Sequence, residues 1–222
     1  MKKIIIGIAL SLFTFTTASA ELGVNVGISA ATGLFAATGK EVQTDADGTE
    51  GTQTQKRSEI MQASFGSLFI EKSFGDRFAI GIDYVPASLE TEATETARTH
   101  ITTAYQEVST VVENKIQVDF EELMHAYFTV NVTDNAYLKL GAGTVDVITN
   151  ENLGTGATYG NTNMDLIVYG VGYNNTLDNG VFIRMEGNYM DFEGASLTSG
   201  DNTISVSGVN GVTAKLSIGR SF

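Results

Sequence analysis

Four acids and three bases share one phase of the chain. Asp83, Asp119, Glu121 and Glu186 fall opposite apolar neighbours in extended-looking segments, as do Lys139, Arg184 and Lys215, with His125 among them. Side chains alternate sides along a strand, so such residues would point into one common space. Charges removed from water must pair or be hydrogen-bonded. The set therefore reads as a nearly neutral polar plug, or as the lining of a narrow pore in which Arg184 and the carboxylates select solutes. Hydrolysis would need a histidine beside a nucleophile or an acid. Of the two histidines, His100 lies in a long polar stretch and His125 in mid-strand, and neither has a Ser or Asp at a pairing distance in sequence. No catalytic residue is assigned. Asp45-Ala46-Asp47-Gly48-Thr49-Glu50 approaches a calcium loop, but Gln43 and Thr54 stand where that loop needs acids. A solvated acidic loop is the better reading, so no metal or cofactor site is assigned.

The elements that would hold these residues have period two. Eight candidate strands cover about 22–36, 59–72, 77–85, 115–132, 136–147, 163–173, 180–192 and 203–222. Greasy faces include Ile28 and Ala30; Met61, Ala63, Phe65 and Phe69; Phe78, Ile80 and Ile82; Phe120, Met124 and Phe128; Leu138 and Leu140; Ile167, Tyr169 and Val171; Ile183 and Met185; and Val212, Leu216 and Ile218. Connections alternate between short turns near 73–76, 133–135 and 175–179 and long polar stretches near 38–58, 87–114, 149–162 and 193–202. Short turns on one side and long loops on the other mark an up-and-down barrel that crosses a membrane.

In hydrocarbon every backbone donor and acceptor must find a partner within the protein, so a closed barrel is the β solution. Phe78, Phe128, Tyr137, Tyr173 and Phe222 fall near one end of the strands, and Tyr84, Phe120 and Tyr189 near the other, as two aromatic girdles would. Glu122 alone breaks the greasy phase. A height about 20 Å above the inner interface would place it among the outer headgroups, and a β-bulge would also accommodate it; height is the preferred account.

Met1-Lys2-Lys3, the apolar run from Ile4 to Phe15 and Ala18-Ser19-Ala20 compose a secretory signal peptide over 1–20, leaving one domain over 21–222. There is no cysteine, which excludes disulfides and lipoprotein anchoring. A net charge of −13 argues against nucleic acid.

With its signal peptide, its Tyr- and Phe-rich alternating strands and its terminal Ile218-Gly219-Arg220-Ser221-Phe222, the chain resembles the small Gram-negative outer-membrane β-barrels of the OmpA-transmembrane and opacity-protein kind. The resemblance implies an all-β, eight-stranded antiparallel up-and-down transmembrane barrel in the cell outer membrane, among lipid and lipopolysaccharide. It also implies that Phe222 serves as a signal to the barrel-assembly machinery; Arg220 departs from the aromatic often found there. The expected role is structural or adhesive at the surface, without catalysis or cofactor, through external loops whose partner the sequence does not name. A narrow porin-like pore and a soluble periplasmic β-barrel binding protein are the alternatives.

Overall fold

The computed structural model describes residues 23–43, 53–90, 94–101, 109–153, 158–200 and 202–222. Residues 1–20, expected to be a signal peptide, and the Asp45–Glu50 stretch lie outside them. The strands are β1 (Val24–Gln43), β2 (Gln53–Phe74), β3 (Phe78–Tyr84), β4 (Leu89–Glu90), β5 (Thr94–Ile101), β6 (Ser109–Asn131), β7 (Ala136–Leu153), β8 (Thr162–Thr176), β9 (Val181–Phe192), β10 (Ala195–Ser199) and β11 (Asn202–Ser221). All ladders are antiparallel in the order β1-β2-β3-β6-β7-β8-β9-β11, and β11 pairs back onto β1. β4 and β5 extend the third stave along β6, and β10 extends the seventh along β11. The result is a ring of eight staves. At the closing seam Phe222 and Val24 exchange two backbone hydrogen bonds, of 3.2 and 2.9 Å.

The strands run well beyond the spans that period two marks. Much of the expected loop regions 38–58, 87–114 and 149–162 is ladder, because Thr, Gln and Ser keep a strand paired without giving it a greasy phase. The barrel wall thus rises above the apolar zone.

That zone is legible on the exterior. Ile28, Ile80, Leu138, Leu140, Val171, Ile183, Met185, Leu216 and Ile218 are each about half exposed. A water-facing surface of this extent would be an association site, whereas acyl chains cover it at no penalty. Its upper limit is set by charge. On β6, β7, β8 and β9 the outward residues Val130, Leu138, Tyr173 and Ile183 begin the band, and Glu122, Asp146, Asp165 and Asp191 end it. Each pair is separated by the same distance along its strand, about 20 Å of height for a strand tilted by about 40°.

Glu122 carries a second feature. Its φ is +54°, the one positive value among described non-glycine residues, and the β6–β7 register shifts between Glu121 and Met124. A bulge therefore sits at the level of the acidic ring, so bulge and height both apply. Its effect is to reverse the phase of β6 above Leu123. Val118 and Phe120 turn inward, and Asp119 and Glu121 turn out of the lumen, where Glu121 faces Asp146 across the ladder.

Arginine placed on the band should report its solvent. Ala142→Arg, halfway up, is expected to destabilise the barrel by about 2–4 kcal/mol, and Asp146→Arg by no more than about 1. Urea unfolding in lipid vesicles measures both; equal, near-zero effects would mean that the exterior faces water.

Candidate functional site: the lumen

The inward positions divide into two levels. The lower level is polar. Glu71 of β2, Asp83 of β3, His125 of β6, Lys139 of β7, Arg184 and Glu186 of β9, and Lys215 of β11 are all buried. Three carboxylates therefore face three cations, and they meet in pairs across the lumen. The guanidinium of Arg184 donates Nη1 to Glu71 Oε2 and Nη2 to Oε1, both at 3.0 Å, in the bidentate geometry that arginine and carboxylate favour. Glu71 also accepts from Tyr127 Oη at 3.1 Å and from Asn25 Nδ2 at 2.9 Å. Glu186 accepts from Tyr137 Oη at 2.5 Å and from Lys139 Nζ at 3.3 Å. Lys215 Nζ donates to Asp83 and lies 4.0 Å from Glu186. Cation–π contacts complete the layer: Lys139 stands 4.3 Å from the Tyr127 ring centroid, and Arg184 is 5.2–5.3 Å from those of Phe69, Tyr137 and Phe182.

Room for these rings comes from glycine on the neighbouring stave. Tyr127 is opposite Gly81, Tyr137 opposite Gly172, Phe69 opposite Gly27 and Phe182 opposite Gly219. In each case a Cβ on the glycine would collide with the ring. An eight-stranded lumen is only wide enough for its own side chains, so a large residue needs a bare neighbour.

Six of the eight lumen residues expected from the sequence are brought together: Asp83, His125, Lys139, Arg184, Glu186 and Lys215. Asp119 and Glu121 are not. The bulge turns them outward, and Asp119 instead accepts from Asn150 Nδ2 at 2.6 Å. Glu71 takes their place. It escapes sequence reading because Met61, Ala63, Phe65 and Phe69 share its phase and look like a lipid-facing row, whereas they point inward. Tyr137, expected in a girdle, is an inward residue of the polar level, and Phe120, also expected there, faces the lumen above it. For Tyr137 the signal is Gly172, the bare residue opposite its ring.

Above the plug the lumen changes character. Val85, Leu123, Val145, Val147, Met164, Leu166, Val168, Met190 and Val209 form one buried apolar cluster, with Phe35, Phe65, Phe120 and Phe192 packed on it. Where the two levels meet, a void of about 20 Å³ lies between His125, Asp83, Lys139 and Asn188 below and Val85, Leu123 and Met190 above. That is room for one water and little else. The upper side of the cluster lines a cup of about 980 Å³.

A closed antiparallel ring, an apolar exterior and a charge-paired interior decide the architecture. The fold is that of a small outer-membrane β-barrel. No family model matches the chain, and no curated protein does. Among solved structures it is similar to the outer membrane protease OmpT from Escherichia coli, at 10% identity over 93% of this chain and 99% of that one, with a TM-score of 0.45. It is also similar to the outer membrane protein OprG from Pseudomonas aeruginosa, at 13% identity, 88% and 96% coverage and a TM-score of 0.44. The attachment invasion locus protein Ail of Yersinia pestis matches at 12% identity, 88% and 99% coverage and a TM-score of 0.35. Likeness at this level leaves the activity of the present barrel unassigned.

The plug should behave as one unit. Glu71→Ala and Arg184→Ala are each expected to destabilise by about 3–5 kcal/mol, since each strands a buried charge, and the double variant by far less than their sum. Urea titration of the folded barrel measures the cycle. Additivity within about 0.5 kcal/mol would mean that the two residues are independent.

Proposed function

We propose that this protein is a non-conducting, non-catalytic barrel of the outer membrane, exported by a cleaved signal peptide over 1–20, with a wall that stands above the bilayer and serves at the cell surface. Lipid and lipopolysaccharide surround its apolar band, and Phe222 is offered to the barrel-assembly machinery during insertion. The observation that carries the reading is the neutral plug. Three acids and three bases pair at one level, and the void at its upper edge, about 20 Å³, admits about one water. Ion passage would require several of these pairs to separate at once. The absence of catalysis in this reading rests on His125: neither ring nitrogen has a hydrogen-bond partner, so no hydroxyl or carboxylate is arranged with it as a nucleophile–base pair would be. The side chain of His100 lies outside the described residues.

Planar-bilayer recording of the purified, lipid-folded protein tests closure. Wild type is expected to be silent, and Arg184→Ala to give at most brief, small openings as Glu71 loses its partner. Steady unitary conductance of the wild type would overturn the proposal in favour of the narrow pore.

A further inference from the structure

The wall of the barrel is incomplete on one side. β2 pairs with β1 along its whole length, from Gln53 to Lys72, but with the third stave only from Phe74 to Leu68. The last rung is Leu68 against Tyr84. Beyond it β4 and β5 pair with β6 alone, and no ladder among the described residues joins them to β2.

The cause is local. Val85 donates its N–H to Leu123 O of β6 at 2.9 Å. Successive amides of a strand point to opposite sides, so the next one would point at β2. That residue is Pro86, the only proline in the chain, and it has no N–H to give. The stave then carries one extra residue relative to β6 between Tyr84 and Leu89 and another between Leu89 and Thr94, so its register with β6 shifts twice while no rung to β2 follows.

The height of this slit matters. From Phe74 to Leu68 a tilted strand climbs about 15 Å, and the apolar band of this barrel is about 20 Å tall. The slit therefore begins within the upper part of the band, beside the acyl chains of the outer leaflet. Behind it lies the cup. Its walls bear Phe35, Met61, Phe120, Val145, Met164 and Phe192. The charges facing in near its mouth include Arg57 and Glu59, which hold each other at 2.5 Å. The buried apolar cluster, with the plug beneath it, closes its floor.

A volume of about 980 Å³ lies at the upper end of the roughly 300–1,000 Å³ typical of small-molecule sites. Away from the charged residues Lys40, Glu41, Lys56, Arg57, Glu59 and Glu90, the apolar walls favour an uncharged guest over an anion or a cation, which would lose its hydration there. We propose that the cup binds a small, uncharged, hydrocarbon-like solute, and that the slit between β2 and the third stave is a side opening through which the solute exchanges with the outer leaflet. This rests on the membrane-embedded, closed-floor reading above.

The chain has no tryptophan, so single reporters are clean. Phe65→Trp stands on β2 by the slit, Phe192→Trp on the far wall and Leu140→Trp on the lipid-facing band. With N-phenyl-1-naphthylamine as the probe, saturable energy transfer from the Phe192→Trp protein is expected. Met61→Lys in the cup should weaken it about ten-fold, with Val206→Lys as the second charge variant if the first folds poorly by heat-modifiable gel migration. In vesicles with brominated acyl chains, Phe65→Trp should be quenched about two-fold more than Phe192→Trp, because only the slit brings chains close to the lumen. Non-saturable transfer, or transfer indifferent to both lysines, overturns the binding cup. Equal quenching of the two lumen reporters overturns the side opening. An unquenched Leu140→Trp would instead sink the membrane reading on which both depend.

Discussion

Hydrocarbon offers no hydrogen bonds, and that single deficiency organises this molecule. Below Leu68 and Tyr84 every stave has two laddered neighbours, β11 returns to β1, and the exterior is apolar. Where the wall rises toward headgroups and water, the constraint relaxes. There the exterior becomes acidic, β6 takes its bulge, Pro86 ends a ladder and polar residues line long extensions. The bulge lies at the top of the apolar band, and the break at Pro86 begins just below it, in the uppermost part of that band.

A second constraint operates inside. A ring of eight strands leaves a lumen filled by its own side chains, and this one fills it in two ways. The lower part uses charge, closed pairwise so that no ion lacks a counterion; the upper part uses branched aliphatic and aromatic residues. Charge is tolerated in the lower part because each carboxylate accepts from a cation, and Glu71 receives Arg184, Tyr127 and Asn25 together. The apolar part needs no pairing, so it can stop short of filling the barrel and leave a cup.

Most of the architecture was legible in the sequence, for a definite reason. In β3, β7, β8, β9 and β11 a lipid-facing row alternates with Gly, Ser or a charged residue, and alternation alone gives the phase. The departures fall where both faces are apolar, where the phase breaks, or where an aromatic takes the inward phase, as Tyr137 does. On β2 the inward row of Met61, Ala63, Phe65 and Phe69 is greasier than the outward row, so Glu71 was assigned to neither face. On β6 one extra residue at Glu122 reversed everything above it, which misplaced Asp119, Glu121 and Phe120. Period two cannot reveal a bulge, but a charge that violates the period, as Glu122 does, marks where one sits. The cup and the slit could not be read from sequence, since they depend on which staves fail to meet.

The ion pairs of the plug join residues far apart in the chain: Glu71 with Arg184, Asp83 with Lys215, and Lys139 with Glu186. A sheet that had not yet curled round would hold these groups without partners, and in oil that is forbidden. Water must therefore occupy the interior until the last stave docks on the first. Sealing the cylinder and drying its heart are then one event, and insertion should proceed all at once, with no stable half-cylinder along the way.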